Sequence, residues 1–417
     1  MFGIKAACKQ DNIDNATLFT ILVAALGYFV DIFDLALFAI VRVQSLKTLG
    51  VTADAMLSTG ILIINCQMGG MLLGGILWGI LGDKIGRRSV LFGSILLYSL
   101  ANIANGFVHD INTYAVLRFI AGIGLAGELG AGVTLASELL PARLRGLGTT
   151  FIAVLGLLGV IFAVAVAAYT DWRIAYITGG VIGLVLLALR VNVCESNLHE
   201  KLMAEAPDIA RGNVMIFFRQ PKLFRRLLKV VWVGAPIWAV NGLIITFTPE
   251  FAKDLGMTTL PTAANATLAF YIGGSVGSLC IGLLSQYLKS RKKAVAIWLI
   301  WMAVNVGLYV LTARLDDTRV YYLMCATLGF GMGYWTIFVQ MGAEQFGTNI
   351  RATAATCAPN FVRGLTIPFT AGFHALVPTL GVTASGVAVV SIAILTALIA
   401  LSRLQETFGK HLDYQEE

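Results

Sequence analysis

Asp31 and Asp34 stand three residues apart inside Thr17–Val41, a stretch that is otherwise almost wholly apolar. Residues at that spacing share one face of a helix, so both carboxylates look into the same space. Arg118 lies in a second apolar stretch with Glu128 ten residues beyond it, and Arg363 lies in a third. A charged side chain at such a depth is costly unless it meets a partner or water. A neighbouring guanidinium lowers a carboxyl pKa and burial raises it, so opening and closing a cavity around the pair can load and unload a proton. A guanidinium can also hold an anion through two parallel hydrogen bonds. Proton binding coupled to anion binding is therefore the chemistry within reach.

Such residues must be carried on membrane spans, and the composition supplies them. Of 417 residues, 58% are hydrophobic and 13% charged, against about 25% charged in a soluble domain. Phe151–Ala168, Ile174–Leu189 and Ala384–Leu401 are each close to the roughly 20 residues that cross a hydrocarbon core. Apolar runs broken by charge, Pro or Gly predict twelve spans, near 17–42, 57–81, 88–108, 112–139, 147–169, 172–193, 228–252, 261–287, 294–313, 319–343, 352–376 and 380–402. Met1–Asn15 lacks the basic, apolar and cleavage regions of a signal peptide, so the first span is expected to be retained. The six cysteines (Cys8, Cys66, Cys194, Cys280, Cys325, Cys357) have no ligand-like spacing and are expected to be free thiols, with no metal site and no cofactor.

The net charge of +7 is distributed as in a membrane protein and implies no nucleic-acid partner. Termini and even-numbered loops hold 22 of the 30 Lys and Arg, the opposite side holds 6, and Arg118 and Arg363 fall inside spans. The positive-inside rule then puts both termini in the cytoplasm, with the bacterial inner (plasma) membrane as the expected location and the lipid bilayer as the surroundings.

The chain also repeats itself. Lys47-Thr-Leu-Gly50-Val-Thr52 returns as Lys253-Asp-Leu-Gly256-Met-Thr258, and Glu138 with Arg145 returns as Glu344 with Arg351, both at an offset of 206. Gly122-Ile-Gly124 returns as Gly329-Phe-Gly331 at 207. The expectation is an all-α membrane protein of twelve transmembrane helices in two pseudo-symmetric bundles, residues 1–193 and 227–417, joined by a cytoplasmic linker at 194–226. Repeats of this kind place substrate between the halves near the midplane.

Between spans 2 and 3 runs Gly79-Ile-Leu-Gly-Asp83-Lys84-Ile-Gly86-Arg87-Arg88. Its glycines permit a tight turn and its Asp can accept bonds from a basic residue or a helix N-terminus, which suits a breakable latch at the cytoplasmic face. The run resembles the signature of the major facilitator superfamily. The second-half counterpart, Gly282 to Arg291, has Gln286 where Asp83 stands and is expected to latch weakly. Glu138 with Arg145 and Glu344 with Arg351 are expected as gate salt bridges.

Span 4 reads Arg118-Phe-Ile-Ala-Gly122-Ile-Gly124-Leu-Ala-Gly127-Glu128, then Glu138-Leu-Leu-Pro141-Ala-Arg-Leu-Arg145-Gly146. This resembles the proton-symporter branches of that superfamily, and Ala126-Gly127-Glu128-Leu-Gly130-Ala131 is similar to the metabolite:H+ symporters. Asp31-Ile-Phe-Asp34 resembles the first-span motif of aromatic-acid and other organic-anion symporters, with Ile32 in place of Gly. Asp34 aligns with the single first-span Asp of the sugar porters, which favours it over Asp31 as proton carrier. At ~1.5 Å per residue, Asp34 lies about 12 Å and Arg118 about 9 Å from the outer ends of their spans, so the two can meet. They form either a proton-coupling pair or a static ion pair. Glu128 is read as a second proton or substrate group or as a packing carboxylate, and Arg363 as the ligand of a substrate carboxylate or as the partner of a protein one.

Asn360, Trp238, Asn241, Tyr334, Trp335, Gln340, Asn65 and Gln67 are the further candidates to line the cavity. Asn102, Asn105 and Asn305 fall on spans 3 and 9, which the resemblance makes peripheral, and are set aside. His374 is expected near an interface. No Walker motif, paired C-x-x-C or nucleophile elbow is present, so neither ATP-driven transport nor enzyme chemistry is expected. The expected function is proton-coupled uptake of a small organic anion by alternating access, carried out by a monomer. The alternative is a proton-coupled exporter of a drug or siderophore-like metabolite, against which the absence of proline from Gly148–Ala168 argues.

Overall fold

A computed structural model describes residues 15–85, 87–139, 145–190, 217, 220–311, 315–347 and 350–409, with side chains described in these except at 15–18, 20, 24, 82–83, 85, 87–88, 129–139, 145–154 and 351–352. The first six spans are single helices: α1 (Asn15–Thr48), α2 (Met56–Ile85), α3 (Arg87–Asn105), α4 (Ile111–Leu139), α5 (Arg145–Tyr169) and α6 (Trp172–Leu189). In the second half, span 7 is α7 (Pro221–Ala239), a π turn (Val240–Ile245) and α8 (Thr248–Asp254). Spans 8 and 9 are α9 (Ala263–Tyr287) and α10 (Arg291–Leu311). Span 10 is α11 (Thr318–Met332) with α12 (Trp335–Glu344), span 11 is α13 (Arg351–Gly364) with α14 (Thr366–Leu380), and span 12 is α15 (Val382–Ser402). The chain is thus an all-α membrane protein of two pseudo-symmetric six-span bundles.

The sequence repeats have local physical causes. Gly50 and Gly256 end spans 1 and 7 with φ of 81° and 80°, a left-handed conformation open to glycine at no steric cost. Each closes the same cap, with Val51 N–H on Leu46 O and Met257 N–H on Ala252 O, the longer bond of a Schellman motif. Gly122 and Gly329 are crossing points. A Cβ on Gly122 would sit 2.2 Å from the Gln67 carbonyl oxygen, and one on Gly329 would sit 1.9 Å from that of Phe270. Spans 2 and 4, and likewise 8 and 10, therefore cross backbone to backbone, as small residues allow in membranes.

The breaks in spans 7, 10 and 11 also follow from composition. Pro368 removes an N–H and crowds the Gly364 carbonyl, and the helix is interrupted by a turn at Leu365. Pro249 acts likewise on Ile245, where the π turn ends. A turn at Gly333-Tyr334 interrupts span 10. Apolar side chains such as Leu100, Val185, Val304 and Leu395 are exposed and mark the lipid-facing surface. One boundary moves. Span 7 starts at Pro221 with proline at its first turn, a favoured place for it, so 221–226 are helix rather than linker. Lys222, Arg225 and Arg226 disguised this start, because a helix can carry charge once it projects beyond the bilayer.

Candidate functional site

Three buried acids of the first half meet three buried arginines, each pair at a different depth or in a different neighbourhood. Asp34 and Arg118 are both fully buried. The guanidinium donates Nη1 to Oδ1 at 3.0 Å and Nη2 to Oδ2 at 2.6 Å. Gln67 donates to Oδ2 and Asn102 to Oδ1, each at 2.9 Å, and Arg118 Nη1 also reaches Asn102 Oδ1 at 3.0 Å. Tyr176, hydrogen-bonded to Tyr114 at 2.7 Å, lies 5.0 Å from the guanidinium carbon. Every member comes from spans 1, 2, 3, 4 and 6, so the network is internal to one half. Gln67 serves this network, and Asn102, set aside on sequence grounds, is a full member. The sign of its role was a carboxamide at a buried level of a membrane span.

Glu128 is similarly enclosed. Arg190 holds it at 2.5 Å (Nη2) and 3.0 Å (Nη1), Ser94 donates to it at 2.7 Å, and Arg190 also donates to the Leu91 carbonyl. Gly27 of span 1 passes directly beside them, since its Cβ would stand 2.5 Å from Arg190 Nη2 and 2.7 Å from Glu128 Oε2. Glu128 is thus held within the first half by Arg190 and Ser94. Arg190 closes the apolar run of span 6, where a basic residue at a span end reads as part of the positive-inside pattern.

Asp31 differs from both. Its Oδ2 accepts from Arg363 Nη2 at 2.7 Å, and both residues are buried to within 1%. Span 1 belongs to the first half and span 11 to the second, so this pair joins the halves. Asp31 Oδ1 is buried without a hydrogen-bond partner, unlike the carboxylate oxygens of Asp34 and Glu128; Thr366 Oγ1, one turn along span 11, and Arg363 Nε are also unpartnered, the latter like Nε of Arg118 and Arg190. Asn360 accepts from Arg363 at 3.4 Å, and Trp238 places its ring 5.6 Å from the guanidinium carbon. Tyr28 and Tyr271, absent from the sequence candidates, lie within electrostatic reach of both Asp31 and Arg363, and Asn241 is within reach of Tyr271. Apolar rings, two tyrosine hydroxyls, a guanidinium and an acid with a spare oxygen thus converge between the halves.

Contacts between the halves continue on both sides of this layer. Toward the face where span 6 ends and span 7 begins (the linker face), Asn360 donates to the Ala126 carbonyl at 3.0 Å and Cys357 lies 3.5 Å from the Gly75 carbonyl. Toward the far face, Thr370 donates to Asn65 at 2.8 Å, and Arg42 pairs with Glu250 at 2.7 Å. Neither Arg42 nor Glu250 was singled out in the sequence, because both stand where spans 1 and 7 approach their ends.

The span 10 candidates are elsewhere. Tyr334 is buried and donates to the Val233 carbonyl at 2.9 Å, so it ties spans 7 and 10 together. Trp335 packs on Phe338 at 5.2 Å. Gln340 is exposed and accepts from Arg291 at 3.3 Å, close to the linker face. None of the three is recorded in contact with Asp31 or Arg363.

Of the gating candidates, Gly79 lies on the seam between halves, where a Cβ would meet Cys357 Sγ at 3.3 Å. Asp83, Gly86, Arg87, Arg88, Glu138, Arg145 and Arg351 lie outside the described residues or side chains. Glu344 is bound bidentately by Arg291, at 2.7 Å from Nε and 2.8 Å from Nη2. The second-half counterpart of the signature is therefore well anchored rather than weak. The ion pair runs from the final Arg of the motif to the acid of span 10, within the second half, and does not involve the residue at 286. Glu406 adds to it, accepting from Arg291 N at 3.0 Å, from Lys292 N at 3.2 Å and from Ser290 Oγ.

The model of the Major Facilitator Superfamily matches residues 24–371. The chain is 26% identical over 365 residues to the niacin transporter NiaP of Acinetobacter baylyi, covering 80% of this chain and 81% of that one. It is 24% identical over 328 residues to the 4-hydroxybenzoate transporter PcaK of Pseudomonas putida, covering 70% and 72%. Among solved structures it is similar to a partially occluded inward-open conformation of the xylose transporter XylE from E. coli, with a TM-score of 0.72, 19% identity, and 96% of this chain and 100% of that one covered.

Proposed function

This chain belongs to the Major Facilitator Superfamily and is a transporter rather than an enzyme, and from that premise we propose that it carries a small organic anion, a carboxylate, together with a proton. The observation that carries the reading is the Asp31–Arg363 pair, which bridges the two halves and leaves Asp31 Oδ1 and Arg363 Nε unpartnered. Relatives named for niacin and 4-hydroxybenzoate transport and the rings of Trp238, Tyr28 and Tyr271 around the guanidinium support an aromatic or similarly compact acid.

Charge conservation explains the coupling. In the empty site Asp31 neutralises Arg363. A proton on Asp31 frees the guanidinium, and a substrate carboxylate then takes the place of the Asp31 oxygen. Empty and fully loaded sites carry the same net charge, whereas a proton alone or an anion alone leaves one unit unbalanced in a low-dielectric layer, which is costly. The halves rock only in the two balanced forms, so one proton moves with one monocarboxylate. Asp31, rather than Asp34, is the carrier in this scheme. Asp34 receives four hydrogen bonds from three side chains of its own half, and rocking leaves those unchanged.

With both termini in the cytoplasm of a bacterial inner membrane, as the charge asymmetry favours, the far face is external and the proton gradient drives uptake by a monomer. The test uses protein reconstituted in liposomes with an imposed proton gradient and labelled benzoate. Asp31→Asn should abolish accumulation while benzoate exchange persists, because the empty form of that variant leaves Arg363 uncompensated and cannot return. Proton-driven accumulation by Asp31→Asn at the wild-type level would overturn the scheme. Benzoate accumulation by whole cells with and without an uncoupler separates uptake from export.

A further inference from the structure

Arg42 is a buried cation that this scheme leaves unused. It lies 11 residues beyond Asp31 on the same helix, about 16 Å nearer the far face. Its side chain is fully buried, yet only Nη2 is engaged, by Glu250 Oε2 at 2.7 Å. Nε and Nη1 are buried without a partner. The guanidinium carbon stands 4.5 Å from the Phe247 ring centroid. Gly60 packs beside both, since a Cβ there would come within 3.1 Å of Arg42 Nη1 and 3.1 Å of the Phe247 ring. Glu250 and Phe247 belong to span 7, so the anion on Arg42 is supplied by the other half. Its side chain is 18% exposed, which puts the pair at the edge of the far-face solvent.

When the halves part at this face, Glu250 and Phe247 withdraw together and Arg42 stays on span 1 with all its donors unpaired. A guanidinium so placed takes up a carboxylate bidentately. We infer that Arg42 is an entry site for the carboxylate of the transported anion: in the far-open form the substrate replaces Glu250 on Arg42 before moving inward to Arg363, and on closure Glu250 reclaims Arg42 and forbids return. The inference rests on the assignment of Arg363 as the anion ligand of the central site.

Glu250→Gln and Arg42→Gln lose the same ion pair, so a mere latch would alter both variants alike. An entry site separates them, because only one retains the guanidinium. Binding of radiolabelled benzoate to purified full-length protein should be about tenfold tighter in Glu250→Gln than in Arg42→Gln, the size expected for a charge-assisted hydrogen bond. Arg42→Lys should fall between them, and uncharged benzamide should not distinguish any of the three. Equal benzoate affinities, or a difference that benzamide shares, would overturn the inference. Glu250→Gln combined with Arg363→Gln provides a second measurement that keeps Arg42 intact. It should retain a weak benzoate site that added salt removes, and its absence also counts against Arg42. Benzoate binding that depends on Arg363 but not on Arg42 sinks this inference alone, while no saturable binding by wild type or any variant sinks the central-site reading beneath it.

Discussion

The two halves share a backbone plan but divide the electrostatics unequally. At the offset of 207 that relates the glycines of spans 4 and 10, Arg118 corresponds to Cys325, and at the span 1 to span 7 offset of 206, Asp34 corresponds to Val240. The first half thus contains a closed network of Asp34, Arg118, Gln67 and Asn102, where the second has a buried thiol and a π turn. The second half has its internal ion pair, Arg291 with Glu344, near the linker face, and deeper in the bundle it offers Arg363, whose counter-ion is across the seam. An ion pair inside a rigid body fixes that body's shape. An ion pair between two bodies, such as Asp31 with Arg363 or Arg42 with Glu250, must break when they part.

The contrast can be broken at four points. The largest effect is expected from Asp34→Asn, which leaves Arg118 buried and uncompensated and should cost about 3–5 kcal/mol of stability. Thermal unfolding in detergent would read it, and both accumulation and exchange should disappear, unlike in Asp31→Asn. If Asp34→Asn stays as stable as wild type and loses only accumulation, the roles of the two acids must be exchanged.

Next comes the double variant Asp34→Val with Arg118→Cys, which installs the residue types of the second half. Removing both charges should recover at least about 1 kcal/mol relative to the worse single variant, because coupled buried partners are not additive. A double variant as unstable as the sum of the singles would deny that the pair acts as a closed unit.

Glu344→Gln tests the second-half latch. Arg291 loses the carboxylate that holds it bidentately, and about 1–3 kcal/mol is expected for these partly shielded charged bonds. The effect should be seen in thermal unfolding and as faster modification of Cys357 by a thiol reagent, since that residue sits at the same face of the seam. Unchanged modification would confine the pair to stability.

The smallest effect belongs to Glu406, which is largely exposed. Burial alone would raise its carboxyl pKa, but hydrogen bonds from Ser290, Phe408 N, Arg291 N and Thr407 N outweigh it and hold the group below its ordinary value. A depressed folded-state pKa stabilises above the unfolded value of about 4.3 and is lost as pH falls through the folded one. Glu406→Gln should therefore cost about 0.5–1 kcal/mol at neutral pH, and the gap to wild type should close in acid. A gap that is constant with pH would mean that the carboxylate charge contributes nothing.

Much of this was legible in the chain itself. Apolar runs gave the spans, the repeated Lys-x-Leu-Gly-x-Thr gave the two caps, and Gly122 with Gly329 gave the close crossings, because each depends on local sterics or on transfer from water to lipid. Asp31, Asp34, Arg118, Glu128 and Arg363 stood out for a similar local reason, as charges in apolar surroundings. Their pairing was less accessible. Asn102 looked peripheral, Arg190 looked like a loop residue, and Tyr334 and Gln340 looked cavity-facing, since rotation and depth of a span depend on its neighbours.

By itself, then, the sequence determined a twelve-span, two-fold repeated transporter with buried charges, because hydrophobicity and glycine geometry act on each segment separately. Which acid meets which arginine was decided only by the tertiary structure. Asp31 and Asp34 are three residues apart and chemically identical, yet one faces a partner in its own half and the other a partner in the opposite half. That difference comes from how helices from distant parts of the chain pack around them.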